Sequence, residues 1–197
     1  MRIVGIGGLP RSGKDTLADL LIDRGWFGLS FGDVVRGYAR ERHADKPDPI
    51  SVANMTETSN WLRETRGADV ILQEALKQFK EASEKQEYQG MVLYSVRAPV
   101  EVDWILAHDG ELVWVEASDE VRHQRNMSHL REGEAVIDLA EFRRQEALQY
   151  HPQPGIPPEV QMDLAYVESK ATIKLDNSDN DIEAFRRAAL EALSLSK

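Results

Sequence analysis

The chain has 197 residues, 42% hydrophobic and 29% charged, enough for one domain with a substantial core. Its formal net charge of -10 disfavours nucleic acid or an anionic membrane as the main partner, although a local cleft can still be positive. Cysteine is absent, which excludes disulfides, thiolate metal sites and cysteine nucleophiles.

Arg2 to Ile6 (RIVGI) is a β-branched run, followed by a glycine-rich turn and an amphipathic segment from Gly13 to Arg24 with Leu17, Leu20 and Leu21 on one side. This pattern predicts strand, loop and helix. The apolar run Ile3 to Leu9 is short, broken by glycine and followed by Arg11 and Lys14, unlike a signal peptide. No stretch approaches the roughly 20 apolar residues of a membrane span, so a cytoplasmic location without a membrane partner is expected.

Phe27 to Phe31 (FGLSF) reads as a second strand feeding a helix from Asp33 to Arg42. ADKPDPIS, residues 44–51, is loop, and residues 54–86 are mostly helical with Gly67 dividing them. Gly90 to Val96 is a third strand with Arg97 at its carboxyl end, Val100 to His108 a short helix and Glu111 to Glu116 a fourth strand. Residues 119–149 are charged and favour helix, whereas His151 to Pro158 (HPQPGIPP) predicts a stiff extended loop. Ala171 to Leu175 is a fifth strand, Asp176 to Asp181 a turn and Ile182 to Leu195 a closing helix. Strands separated by crossover helices predict an α/β fold, an open doubly wound parallel sheet with ligand sites beyond the strands' carboxyl ends.

The chemically suggestive residues fall at those ends. Gly8 and Gly13 are separated by four residues and followed by Lys14. This spacing lets backbone N–H groups curl around phosphate oxygens, with the following helix adding its positive end and the lysine a charge between the terminal phosphates. A dinucleotide site would use glycines without this lysine. Gly8, Arg11, Ser12, Gly13, Lys14, Asp15 and Thr16 therefore form the expected ATP-binding set, with the Asp15 side chain turned away into the first helical turn. Thr16 is either a contact to Mg2+ or phosphate, or a helix surface residue. Asp33 either holds a magnesium-bound water or caps its helix. Arg36 suits an acceptor phosphate or a surface salt bridge, and Arg97 suits an acceptor phosphate.

Between Gln86 and Ser169 every basic residue other than histidine is arginine: Arg97, Arg122, Arg125, Arg131, Arg143 and Arg144. That usage hints at a phosphate clamp, and the spacing of Arg122 and Arg125 places both within reach of one ligand. The histidines lack metal-ligand spacing, so no zinc site is expected.

GLPRSGKDT, SFGDVVR, LRETRGADVI and VR followed by APVEV resemble the nucleoside monophosphate kinase group of P-loop kinases. The likeness is to adenylate-kinase-like and dephospho-coenzyme-A-kinase-like proteins, and GKDT is similar to deoxynucleoside monophosphate kinases. The resemblance implies a three-layer P-loop fold with a five-stranded core, a helical acceptor-binding insert at about 37–86 and a lid at about 120–160, within one domain spanning 1–197. It also implies ATP and Mg2+ as cofactors and a phosphorylated small molecule as partner, with Asp33, Arg36 and Arg97 facing the acceptor. Arg122 would lie beside the ATP phosphates, a lid arginine such as Arg144 over the transferring group, and Asn177 near the adenine. Where many such proteins carry Asp-Gly, this chain has Tyr94-Ser95, leaving Asp33 as the nearest substitute carboxylate. Another small-molecule kinase, a P-loop hydrolase and a nucleotide-binding regulatory protein are the alternatives. Nothing in the pattern selects between monomer and homodimer.

Overall fold

A computed structural model describes residues 1–130, 136–152, 154, 155 and 157–195. Arg131 and two positions of the proline-rich segment, Gln153 and Ile156, lie outside the described residues. The strands β1 (Arg2–Gly7), β2 (Phe27–Ser30), β3 (Gly90–Tyr94), β4 (Glu111–Glu116) and β5 (Ile173–Asp176) form one parallel sheet in the order β2-β3-β1-β4-β5. Helices flank it on both faces, giving the three-layer P-loop architecture expected from the alternating strands and helices.

The strands read as nearly continuous apolar runs because both faces are covered. Met91 and Leu93 face one layer while Val92 faces the other, and Leu112 and Trp114 alternate likewise with Val113 and Val115. On the first face they pack with Phe31 and Val35 of α2 (Phe31–Arg42) and with Ile71 and Leu72 of α4 (Val70–Ser83). On the second they meet Leu17 and Leu21 of α1 (Lys14–Ile22) and Phe185 and Ala189 of α9 (Ile182–Ala192).

Several boundaries differ from the sequence reading for local reasons. Strand two stops at Ser30, whose hydroxyl accepts the Asp33 amide at 3.2 Å and starts α2 at Phe31. Asp33 is thus within the first turn rather than its cap. Gly67, with φ +105, does separate α3 (Val52–Arg66) from α4. The charged stretch 119–149 is two helices, α6 (Asp119–Ser128) and α7 (Leu139–Tyr150), the second started by the Asp138 carboxylate. The remaining helices are α5 (Pro99–Ala107) and the short α8 (Leu164–Ser169), which the sequence reading missed.

The chain leaves β1 for β2 at one edge of the sheet, returns through β3, and then builds outward through β4 on the other side of β1. The crevice beyond the carboxyl end of β1 lies at this reversal, where ligands bind in open α/β sheets. No helix among the described residues is long and apolar enough to cross a membrane.

Candidate active site

The segment joining β1 to α1 is shaped by its two glycines. Gly8 has φ +144, and a Cβ there would come within 2.3 Å of the Val115 carbonyl oxygen. Gly13 has φ +115, and its Cβ would fall 2.3 Å from Asn177 Nδ2. Neither position accepts a side chain without strain and collision. Gly13 is also the residue preceding α1, so no side chain caps that helix. By contrast Ser30, Ser51, Ser118, Asp138, Asp163 and Asp181 cap α2, α3, α6, α7, α8 and α9. The positive end of α1 is left for an anion. Asp15 is exposed in the first turn, where its charge is favourable.

Four successive loop carbonyls are held by side-chain donors. Lys14 Nζ donates to the Leu9 oxygen at 2.6 Å and Arg122 Nη1 to that of Pro10 at 3.4 Å. Arg125 Nη1 donates to the oxygens of Arg11 at 3.1 Å and Ser12 at 3.3 Å, and Asn177 Nδ2 to that of Ser12 at 2.8 Å. Carbonyls drawn toward protein donors favour N–H groups turned the other way, as an anion cradle requires. Arg125 Nη2 also donates to the Asn177 oxygen at 2.6 Å and to Asn180 Oδ1 at 2.7 Å, tying this loop to the turn after β5. Its desolvation by burial lowers the guanidinium pKa. Ser12 Oγ is buried with no hydrogen-bond partner among the described residues.

From this loop a cleft of about 970 Å3 extends over the sheet edge. Lys14, Asp15 and Thr16 line it together with Asp33, Arg36, Arg63 and Arg97. Asp33 and Arg36, one turn apart on α2, form an ion pair. Arg97 Nη1 donates to Gln149 Oε1 and lies 3.8 Å from Met162 Sδ. Its own amide donates to Glu101 Oε2 at 2.8 Å.

Arg63 was not singled out in the sequence. It is 3% exposed, donating through Nη2 to Glu101 Oε1 at 2.9 Å and through Nη1 to Ser59 Oγ at 2.5 Å, while its Nε has no partner among the described residues. Arginine among Trp61, Leu62 and Glu64 on a helix resembles any surface arginine, and only the burial of Glu101 reveals it.

Lys14, Asp15, Thr16, Asp33, Arg36, Arg97, Arg11, Gly13 and Asn177 all line the one cleft. Gly8 and Ser12 lie behind it in the loop. Two arginines expected near the phosphates do not line this cleft, although one of them, Arg122, reaches the phosphate loop at the Pro10 oxygen, 3.4 Å away. Arg122, 1% exposed, is enclosed by Glu146 Oε1, by Asp119 Oδ1 at 2.5 Å and by the Ala117 oxygen at 2.9 Å. Arg144 points outward to Glu141 at 2.7 Å and does not line the cleft. The cause is helical phase: Phe142, Gln145, Glu146 and Gln149 share the inward face of α7, which turns Arg143 and Arg144 away.

The parallel sheet, the glycine-shaped loop and the cleft beyond it define a P-loop, kinase-like α/β fold. Residues 4–149 match the family described as AAA domain, and the chain belongs to that family. It is 33% identical over 127 residues to the UPF0200 protein PAE1629 of Pyrobaculum aerophilum, an alignment covering 64% of each chain. The fold is similar to that of TT1252 from Thermus thermophilus, with a TM-score of 0.59, 22% identity and coverage of 98% of this chain and 96% of that one. It is also similar to shikimate kinase from Bacteroides thetaiotaomicron, with a TM-score of 0.55, 14% identity and 98% of each chain covered. These likenesses reach the P-loop kinase-like fold and stop short of a nucleoside monophosphate kinase subfamily.

Proposed function

We propose that the protein is an ATP-dependent phosphotransferase acting on a nucleoside or deoxynucleoside monophosphate, or a similar phosphorylated small molecule. The observation that carries this reading is one cleft lined both by Gly13, Lys14 and Thr16 of the phosphate loop and by Arg36 and Arg97. Its volume is at the upper end for small-molecule sites, which suits two substrates meeting end to end. In this reading the loop N–H groups and Lys14 hold the donor phosphates, Arg36 and Arg97 hold the acceptor phosphate, and Asn177 lies toward the adenine. Phosphoryl transfer needs alignment and charge neutralisation rather than a covalent enzyme intermediate.

The donor set fits Mg2+ carried on the phosphates. The Thr16 hydroxyl and the Asp33 carboxylate are oxygen ligands lining the cleft, and Mg2+ commonly keeps its waters and takes few protein ligands. Among the described residues no group of three or more His, Asp or Glu that could hold a metal converges. When bound, the ion would neutralise charge on the β and γ phosphates.

The test is ADP release measured with nucleoside monophosphates, deoxynucleoside monophosphates and dephospho-coenzyme A, each against an acceptor-free control. Stimulation by one of them supports the reading. Acceptor-independent release lost in Lys14→Ala would instead favour a hydrolase. Tight ATP binding without turnover would favour a regulatory protein, a reading motivated by Tyr94-Ser95 at the end of β3.

A further inference from the structure

Ser95 follows β3, lines the cleft and has φ +62. Residues other than glycine enter that left-handed region reluctantly, with asparagine and aspartate the usual exceptions. Asp109 and Asn180 are of the tolerant kind, and Ser194 follows the end of α9, where such a conformation closes a helix. Arg11, with φ +63, belongs to the phosphate loop. Ser95 has neither a tolerant side chain nor a helix end to account for it.

The conformation itself serves the turn. It lets the Val96 amide donate to the Ile6 oxygen at 3.1 Å, after which the Arg97 and Ala98 amides donate to Glu101 Oε2 at 2.8 and 3.0 Å. Glycine would make the same turn without steric cost, so the turn accounts for the φ and leaves the side chain unexplained. With those three amides spent inside the protein, the side-chain donors of this turn at the cleft are the Ser95 hydroxyl and the Arg97 guanidinium. The hydroxyl has no hydrogen-bond partner among the described residues. A Cβ built on Gly32 would lie 3.7 Å from both Ser95 Cβ and Oγ. Arg36 is one turn beyond Gly32 on α2, and Arg97 is two residues beyond Ser95. The hydroxyl thus sits where the two segments that carry these arginines meet.

We propose that Ser95 is a specificity-determining residue of the acceptor site, donating its hydroxyl to a phosphate oxygen of the acceptor held by Arg36 and Arg97; this rests on the phosphotransferase reading above. The arginines supply charge to any anion that fits between them. The fixed hydroxyl selects one that places an oxygen within its reach, and its hydrogen bond to a charged group is worth about tenfold or more in affinity. A strained backbone is retained because the glycine that would relax it has no hydroxyl.

Thermal unfolding of the ligand-free chain, together with steady-state kinetics, tests this on the wild type, Ser95→Gly and Ser95→Ala. The acceptors are nucleoside and deoxynucleoside monophosphates and dephospho-coenzyme A. Ser95→Gly should raise Tm by about 2–4 °C, because it removes the left-handed strain. Ser95→Ala keeps a Cβ and should stay within about 2 °C of the wild type. Both variants should raise the acceptor KM about tenfold or more while the MgATP KM stays within about twofold. An acceptor KM in Ser95→Ala within about twofold of the wild type overturns the proposal, as does an equal rise for both substrates. So does an unchanged or lower Tm in Ser95→Gly, which would make the side chain a packing element. These outcomes leave the phosphotransferase reading standing, whereas a wild type whose ADP release no acceptor stimulates would sink that reading and this proposal with it.

Discussion

Arg63 and Glu101 form an ion pair at 2.9 Å with side chains only 2% and 1% exposed, joining α3 to the first turn of α5. The second Glu101 oxygen accepts the amides of Arg97 at 2.8 Å and Ala98 at 3.0 Å. One carboxylate thereby fixes the backbone that presents Arg97. Glu101→Ala would leave a buried guanidinium without its counter-charge and should cost about 3–5 kcal/mol in urea unfolding. The double replacement Arg63→Met with Glu101→Leu should recover much of that loss, because apolar side chains of similar volume carry no desolvation penalty. A double variant no more stable than Glu101→Ala would show that the amide contacts, rather than the orphaned cation, dominate.

Arg97 is the proposed acceptor contact, about which the donor loop is indifferent. Arg97→Ala should raise the acceptor KM about tenfold or more while MgATP affinity stays within about twofold. Steady-state kinetics and a separate binding titration check the split. Equal loss at both ends would remove Arg97 from the acceptor site.

Lys14 makes a hydrogen bond of 2.6 Å to the Leu9 oxygen and lines the cleft. Lys14→Ala should therefore lower MgATP affinity by about tenfold to a hundredfold. Its stability cost should be about 1.5–3 kcal/mol, the scale of a charged hydrogen bond. A large stability loss with little change in nucleotide binding would assign the lysine to the loop's structure.

Tyr150, at the end of α7, donates its hydroxyl to Glu168, and this bond pushes its pKa up to about 12 from 10.0. The folded-state value is raised above the unfolded one, so the contribution to stability is complete below pH 10.0 and is lost as pH rises through about 12. Unfolding followed across that interval should show a decline that is reduced in Tyr150→Phe. An identical decline in the variant would place the titrating group elsewhere.

Much of the fold was legible because β1, the glycine loop and α1 are contiguous, and each strand announces itself as a short apolar run. Arg97 could be placed from the end of β3 alone. The inward face of α7 could not. Arg143, Arg144, Gln145 and Glu146 are all polar, so hydrophobic periodicity gave no phase, and the direction depends on Phe142 packing beside Arg122. Glu101 and Arg63 were invisible for a related reason: charged residues ordinarily mark a surface, and these are buried only because they meet across 38 positions of sequence. The two-helix division of 119–149 likewise needed the Asp138 cap, one polar residue among many.

The most direct test of the proposed phosphotransferase is to follow the label from γ-labelled ATP. With Mg2+ and the panel of phosphorylated acceptors, label should appear covalently on at least one acceptor in step with ADP, and Lys14→Ala should abolish it. Label recovered only as inorganic phosphate, or remaining on ATP with every acceptor, would contradict the account.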